Sequence, residues 1–298
     1  MKMTEMVLLM LVGYVCAKIK TTGPEFNKHA SILLTNVLLP ATILKSCIGV
    51  ETAISNAEVF LVLLMYTIMM GISFVVGKLM MKVLPAKKRE AGVLLCLVMY
   101  MNVAFIGFPM AEAVYGPEAS FYACLSCMPF NALLFSAGTV TLRGDGGKIG
   151  VNCLLNAPMI ATAIGIVLFL LSLPVPALIT STISSVGGAT VPVSMIILGT
   201  SLAGVELKTA FSDWRVYVAS LVRLVICPII VYYVVGLFTE NTVLLGTVTV
   251  LSGTPSAVAL TALCIQYEVD EKLASKGIFI STVLSAVTLP FVIWLLGL

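Results

Sequence analysis

A chain of 298 residues with 60% hydrophobic and only 10% charged side chains is not composed like a soluble domain, in which about a quarter of residues are charged. The formal net charge of +3 is too small to argue for nucleic acid, and no nucleic-acid partner is expected. The charges stand in short clusters between apolar runs. About 20 apolar residues cross a hydrocarbon core of about 30 Å as helix, so the expected class is an all-α membrane protein.

Ten spans are expected in chain order, near 4–19, 25–49, 56–83, 89–115, 118–142, 150–172, 177–204, 212–237, 241–266 and 270–297. Their connections are short, so one transmembrane domain is expected over 1–298. The first apolar run, Met6 to Ala17, leads directly into another helix and reads as a span rather than a removable leader. Bases cluster in the odd connections: Lys18, Lys20 and Lys28; then Lys78, Lys82, Lys87, Lys88 and Arg89; then Arg143 and Lys148; then Lys208 and Arg215; then Lys272 and Lys276. The even connections carry Glu51, Glu58, Glu112, Glu118 and Glu240 and almost no base. The odd connections are therefore expected in the cytoplasm. Both termini then lie outside the cell membrane, which an even number of spans requires.

Within the second span, His29 has no ligand partners, Lys45 can snorkel to the surface and Asn36 is an isolated polar residue. The fourth span holds Asn102, Gly107 and Pro109 in mid-membrane. Proline removes a backbone donor and clashes with the carbonyl four residues earlier, and glycine permits a non-helical turn, so unwinding is expected near Gly107. Asn131 in the fifth span and Asn156 in the sixth either line a path or hydrogen-bond a neighbouring helix. Arg223 falls near the middle of the eighth span, where a cation is costly and needs a partner. No acidic residue lies at that depth, which leaves a substrate carboxylate or the freed carbonyls of a broken helix. The ninth span repeats the interruption with Ser252, Gly253, Thr254, Pro255 and Ser256.

Exposed backbone at membrane depth is tolerated only inside protein or beside a water-filled cavity. The two interruptions therefore point to a midplane site, unless each proline merely kinks its helix for packing. Half-helix N-termini near Pro109 and Pro255 would favour an anion there. The residues proposed to bind substrate are Asn102, Gly107, Pro109, Asn131, Arg223, Gly253, Pro255 and Ser256. Eight cysteines, Cys124 and Cys127 among them, sit in apolar runs and read as packing residues. No phosphate-binding loop and no HExxH motif occurs, so no ATP-driven step, no catalytic activity, no metal and no cofactor is expected.

The chain also repeats itself. Gly13 and Gly165 are 152 residues apart, as are Pro40 and Pro192, while Pro109 and Pro255 are 146 apart. Two halves, about 1–143 and 149–298, with five spans each would insert in opposite orientations, as the inverted repeats of many secondary transporters do.

These motifs resemble those of the auxin efflux carrier family in its short bacterial form. The resemblance rests on Asn102 to Pro109 followed by Tyr115-Gly116, on Pro192 to Leu202, and on Gln266-Tyr267 through Ala274-Ser275 to Ser281-Thr282 and Thr288-Leu289-Pro290. It implies ten helices, the fourth and ninth crossing at Pro109 and Pro255, Asn102 lining a site, and a transport domain moving against a scaffold. The family's Asn-Pro of the sixth span reads Asn156-Ala157-Pro158 here, and the long cytoplasmic loop of plant members is absent. The function expected is alternating-access transport of a small organic anion, such as a dicarboxylate or auxin-like acid, with a proton or sodium as possible coupling ion and a homodimer as possible assembly. A sodium-coupled carrier of the bile-acid type and a passive anion channel are the rivals.

Overall fold

The computed structural model describes residues 2–48, 56–143, 157–171, 173–204 and 213–297. Their regular structure is helical, and the one extended pairing among them is an isolated antiparallel bridge between Met101 and Ser256. In chain order the helices are α1 (Lys2–Lys18), α2 (Pro24–Cys47), α3 (Asn56–Val83), α4 (Lys88–Met99) and α5 (Phe108–Tyr115). Next come α6 (Pro117–Leu125), α7 (Cys127–Leu133), α8 (Thr139–Arg143), α9 (Ala157–Leu170) and α10 (Ala177–Gly188). The last five are α11 (Thr190–Gly204), α12 (Trp214–Gly236), α13 (Thr242–Ser252), α14 (Ala259–Gln266) and α15 (Glu271–Leu295).

Five helical stretches are long and apolar enough to cross a bilayer: α2, α3, the α10–α11 run over Ala177–Ile197, α12 and α15. A sixth appears if the bent run Pro117–Leu133 plus Ser136–Leu142 counts as one span. The expected first, fourth, sixth and ninth spans contain shorter apolar helices, Leu8–Lys18, Glu90–Met99, Ala157–Phe169 and Thr242–Ser252. For the fourth and ninth the cause is local, since each stops where its backbone leaves the helix. Large apolar side chains face outward, among them Phe60 of α3, Tyr233 of α12, and Val287 and Trp294 of α15. That distribution suits a molecule whose surrounding solvent is hydrocarbon. Inside, the buried polar residues are Ser, Thr and Asn, and Arg223 is the one buried charge among the described residues.

The helix expected to unwind at Pro109 runs on through it, as helices do at Pro40 and Pro228. A wide, π-type turn stands just ahead of Pro40 (Leu34–Leu38), of Pro109 (Val103–Gly107) and of Pro228 (Val222–Ile226). Proline cannot donate and its ring crowds the preceding turn. One wide turn moves the hydrogen-bond register past it, and the helix continues.

The helices gather in two groups. In one, α1 packs along α11, while the C-terminal part of α2 packs against α9 and α10. In the other, α3 to α8 and α12 to α15 surround the Met101–Ser256 bridge. Glycines set the closest approaches in the first group. A Cβ at Gly13 would collide with the backbone of Ile196, and one at Gly199 with the backbone of Met10. A Cβ at Gly165 would lie 2.7 Å from the Cys47 sulfur and 3.9 Å from Leu44. Gly165 stands 152 residues after Gly13, and Ile196 stands 152 after Leu44, so one contact echoes the other with the partners exchanged. The groups meet at several places; where α2 touches α6, the Cys47 and Cys124 sulfurs stand 3.5 Å apart as free thiols. Cys153 and Asn156 lie outside the described residues.

Overpacking a tight contact costs about 1–3 kcal/mol. Gly199→Val is therefore expected to lower the thermal midpoint of the purified protein in detergent. Gly71→Ala, in α3 with open space around it, is expected to leave the midpoint in place or raise it.

Candidate functional site

The site is built where two helices stop in the interior. The first, α4, ends at Met99, and Tyr100 continues in an extended conformation, φ −104° and ψ 115°. The second, α13, ends at Ser252, and residues 253–258 are irregular before α14 begins. Thr254 precedes Pro255 and is thereby biased toward extended backbone, while Pro255 brings no N–H that would need a partner. Peptide groups freed at this depth have no water to bond, and the two breaks satisfy each other. The Asn102 N–H donates to the Pro255 carbonyl at 2.8 Å, and the Ala257 N–H donates to the Tyr100 carbonyl at 2.9 Å.

Side chains close the rest. The Ser256 hydroxyl donates to the Leu97 carbonyl at 2.7 Å, and the Ser256 N–H donates to the Ser281 hydroxyl of α15 at 3.2 Å. Arg223 enters from the wide turn of α12 and is 0% exposed. Its Nε donates to the Thr254 carbonyl at 3.1 Å, and its Nη1 to the Val98 carbonyl at 3.2 Å. Nη1 also reaches the Ser73 hydroxyl of α3 at 3.5 Å, whereas Nη2 makes no hydrogen bond. The C-terminal end of a helix carries partial negative charge, and Arg223 lies against two such ends, those of α4 and α13. Carbonyls therefore hold this guanidinium, the second of the two partners the sequence left open.

Five expected site residues meet here: Asn102, Arg223, Gly253, Pro255 and Ser256. Asn102 is 3% exposed, and its carbonyl accepts from the Gly107 N–H at 2.9 Å, which starts the wide turn. Gly253 caps α13 with φ −85°, an ordinary conformation for any residue. Two expectations are corrected. The backbone leaves the helix at Tyr100–Asn102, ahead of Gly107, which is itself helical with φ −60° and ψ −54°. A Cβ on Gly107 would lie 3.4 Å from Leu251, an ordinary contact, so the residue is not needed for a turn. Pro109, at the start of α5, likewise stands outside the pairing. Asn131 donates to the Cys127 carbonyl of its own helix at 2.8 Å. Its neighbourhood is tied to the first break by Tyr100, whose hydroxyl donates to the Leu133 carbonyl at 2.8 Å and whose ring meets Phe130 edge-on, centroids 6.1 Å apart. Asn36, His29 and Lys45 are exposed.

Ser73 and Ser281, both 0% exposed, were not anticipated. Each is a single hydroxyl in an apolar run, and nothing in the sequence separates such a serine from one whose bonds stay within its own helix, as the hydroxyl bond of Ser285 does; Ser281 also donates to the Ile278 carbonyl of its own helix.

The family model described as membrane transport protein matches residues 1–152 and 146–293. An uncharacterized transporter of Methanothermobacter thermautotrophicus is 28% identical over 295 residues, covering 96% of this chain and 94% of its own. An uncharacterized transporter of Methanocaldococcus jannaschii is 26% identical over 306 residues, covering 97% of this chain and 96% of its own.

Loss of a donor that leaves a buried carbonyl unpaired costs about 1–3 kcal/mol. Ser256→Ala is expected to lower the thermal midpoint in detergent, while Thr182→Ala, whose exposed hydroxyl bonds its own helix, should not. Equal midpoints for the two variants would show that the Ser256–Leu97 bond contributes nothing.

Proposed function

We propose that this chain, which belongs to the membrane transport protein family, that of the auxin efflux carriers, is a secondary transporter carrying a small organic anion by alternating access. A multi-pass membrane protein of this family has a small molecule as its cargo, and the reading names the class of that molecule. The observation that carries it is Arg223 bound between the two broken helices. A permanent positive charge with no acidic neighbour among the described residues is a place for a negative cargo, and its Nη2 is a donor left over for one. In this reading the Asn102 side chain and the Ser256 hydroxyl would be neutral partners for the cargo. Gly107, Pro109, Gly253, Pro255 and Asn131 would serve by shaping the backbone around the cargo.

In this reading the chain has ten spans in two inverted repeats, and both termini lie outside the cytoplasm. The fourth and ninth spans are the crossing pair. The exchanged contacts of Gly13 with Ile196 and of Gly165 with Leu44 support the repeat. The group of α1, α2 and α9 to α11 would be the scaffold, and the group holding the crossing would move against it. The seam between them holds Cys47 against Cys124 and an apolar cluster in which Leu34, Met195 and Ile197 pack with Ile106, Met110 and Leu289.

The test is a binding screen of mono- and dicarboxylates on the purified protein by thermal shift, followed by counterflow in proteoliposomes. For the acid giving the largest shift, Asn102→Ala and Arg223→Ala are each expected to weaken binding about tenfold or more, equivalent to about 1.4 kcal/mol. Unchanged affinity in both folded variants would remove the proposed site. Flux that stays linear with concentration would instead indicate a channel.

A further inference from the structure

Transporters built on broken helices commonly hold a coupling cation with unwound carbonyls and half-helix C-terminal ends. The crossing here offers that set of oxygens, yet each of five carbonyls in it already has a donor. Leu97 accepts from the Ser256 hydroxyl, Val98 from Arg223 Nη1, Tyr100 from the Ala257 N–H, Thr254 from Arg223 Nε, and Pro255 from the Asn102 N–H. The two carbonyls at the helix ends, where partial negative charge is greatest, are the two that the guanidinium takes. The Ser73 hydroxyl completes the set at 3.5 Å, the type of neutral oxygen an alkali cation would use.

We infer that Arg223 is a resident cation filling the oxygen site between the broken helices, so that sodium neither binds at this crossing nor couples to movement through it. Three features make the substitution permanent. A guanidinium keeps its proton in proteins. It is tethered to α12 and cannot leave with the cargo. A second cation brought beside it would meet like charge with no carboxylate to offset it, because among the described residues Arg223 is the one buried charge. The inference deepens the proposed function and rests on it for the word coupling, but the occupancy of the oxygen site is a separate matter.

The experiment uses purified full-length protein and no transported acid. Thermal midpoints are compared in sodium, potassium and choline chloride at equal ionic strength. The wild type is expected to melt at the same temperature in all three. Arg223→Ala vacates the oxygens, so its midpoint should fall in choline and recover by a few degrees with sodium or with a low concentration of guanidinium. Arg223→Lys, which keeps a tethered cation, should be as indifferent to sodium as the wild type. Sodium-specific stabilisation of the wild type overturns the inference. So does a folded Arg223→Ala protein with one midpoint in every salt and no response to guanidinium. If Arg223→Ala does not fold, the wild type and Arg223→Lys decide, since sodium indifference in both supports the inference and a sodium response in either overturns it. A protein that binds no carboxylate but behaves as described here would lose the transport reading and keep the resident cation.

Discussion

Lipid supplies no hydrogen bonds, and that absence governs this molecule. A helix crossing hydrocarbon bonds its peptide groups internally, so interrupting one leaves several groups without partners at a cost of several kcal/mol each. A single interrupted helix would be unstable here. Two interrupted helices paired at their breaks solve the problem together, because the donors freed by one find the acceptors freed by the other. The pairing of Tyr100 and Asn102 with Pro255 and Ala257 is thus a condition for either break to exist. What two short extended segments cannot satisfy falls to Ser256 and Arg223, and this is why a cation is tolerated where charge is otherwise excluded. Its desolvation is offset by carbonyl oxygens that would themselves be orphaned without it.

The rest of the fold keeps this arrangement in place. α12 brings Arg223, α3 brings Ser73 and α15 brings Ser281, so three further helices are tied to the crossing through single side chains. The neighbouring group is assembled differently, by backbones drawn together at Gly13 and Gly199. Between helices in lipid there is little hydrophobic drive, and close backbone packing takes over much of its role. That group is thus knit by glycine contacts together with hydroxyl bonds such as Thr42 with Thr190 and Thr200 with the Gly13 carbonyl, and the group around the breaks by polar bonds together with close glycine contacts such as Gly277 on Leu97.

Much of this was legible in the sequence, and the misses have physical causes. Membrane class and the existence of two interruptions followed from apolar run lengths and from Gly107, Pro109, Gly253 and Pro255. The first interruption lies at Tyr100–Asn102, ahead of its proline rather than at it. At Pro40, Pro109 and Pro228 a wide turn absorbs the ring and the helix runs on, and no residue type marks such a turn. Pro255 differs because it stands in the extended segment with its carbonyl accepting from Asn102. Arg223 was legible as a buried charge, since no other base lies so deep in an apolar run. Its partners were not, because a carbonyl is contributed by every residue and only the fold decides which ones lose their helical donors. Ser73 and Ser281 were hidden for a related reason: a serine that bonds across helices and one that bonds its own turn look alike in sequence.

The wide turn at Val222–Ile226 has a geometric consequence. Such a turn holds one residue more than an α-turn, and each residue of an α-helix advances the side-chain direction by about 100°. Deleting a single residue there would restore regular winding while rotating one end of α12 against the other by about that angle. The guanidinium would then aim at lipid or at a different neighbour. Which way the only buried cation among the described residues points is thus set by one surplus peptide unit, and relatives that lack it would have to hold their crossing together with some other group.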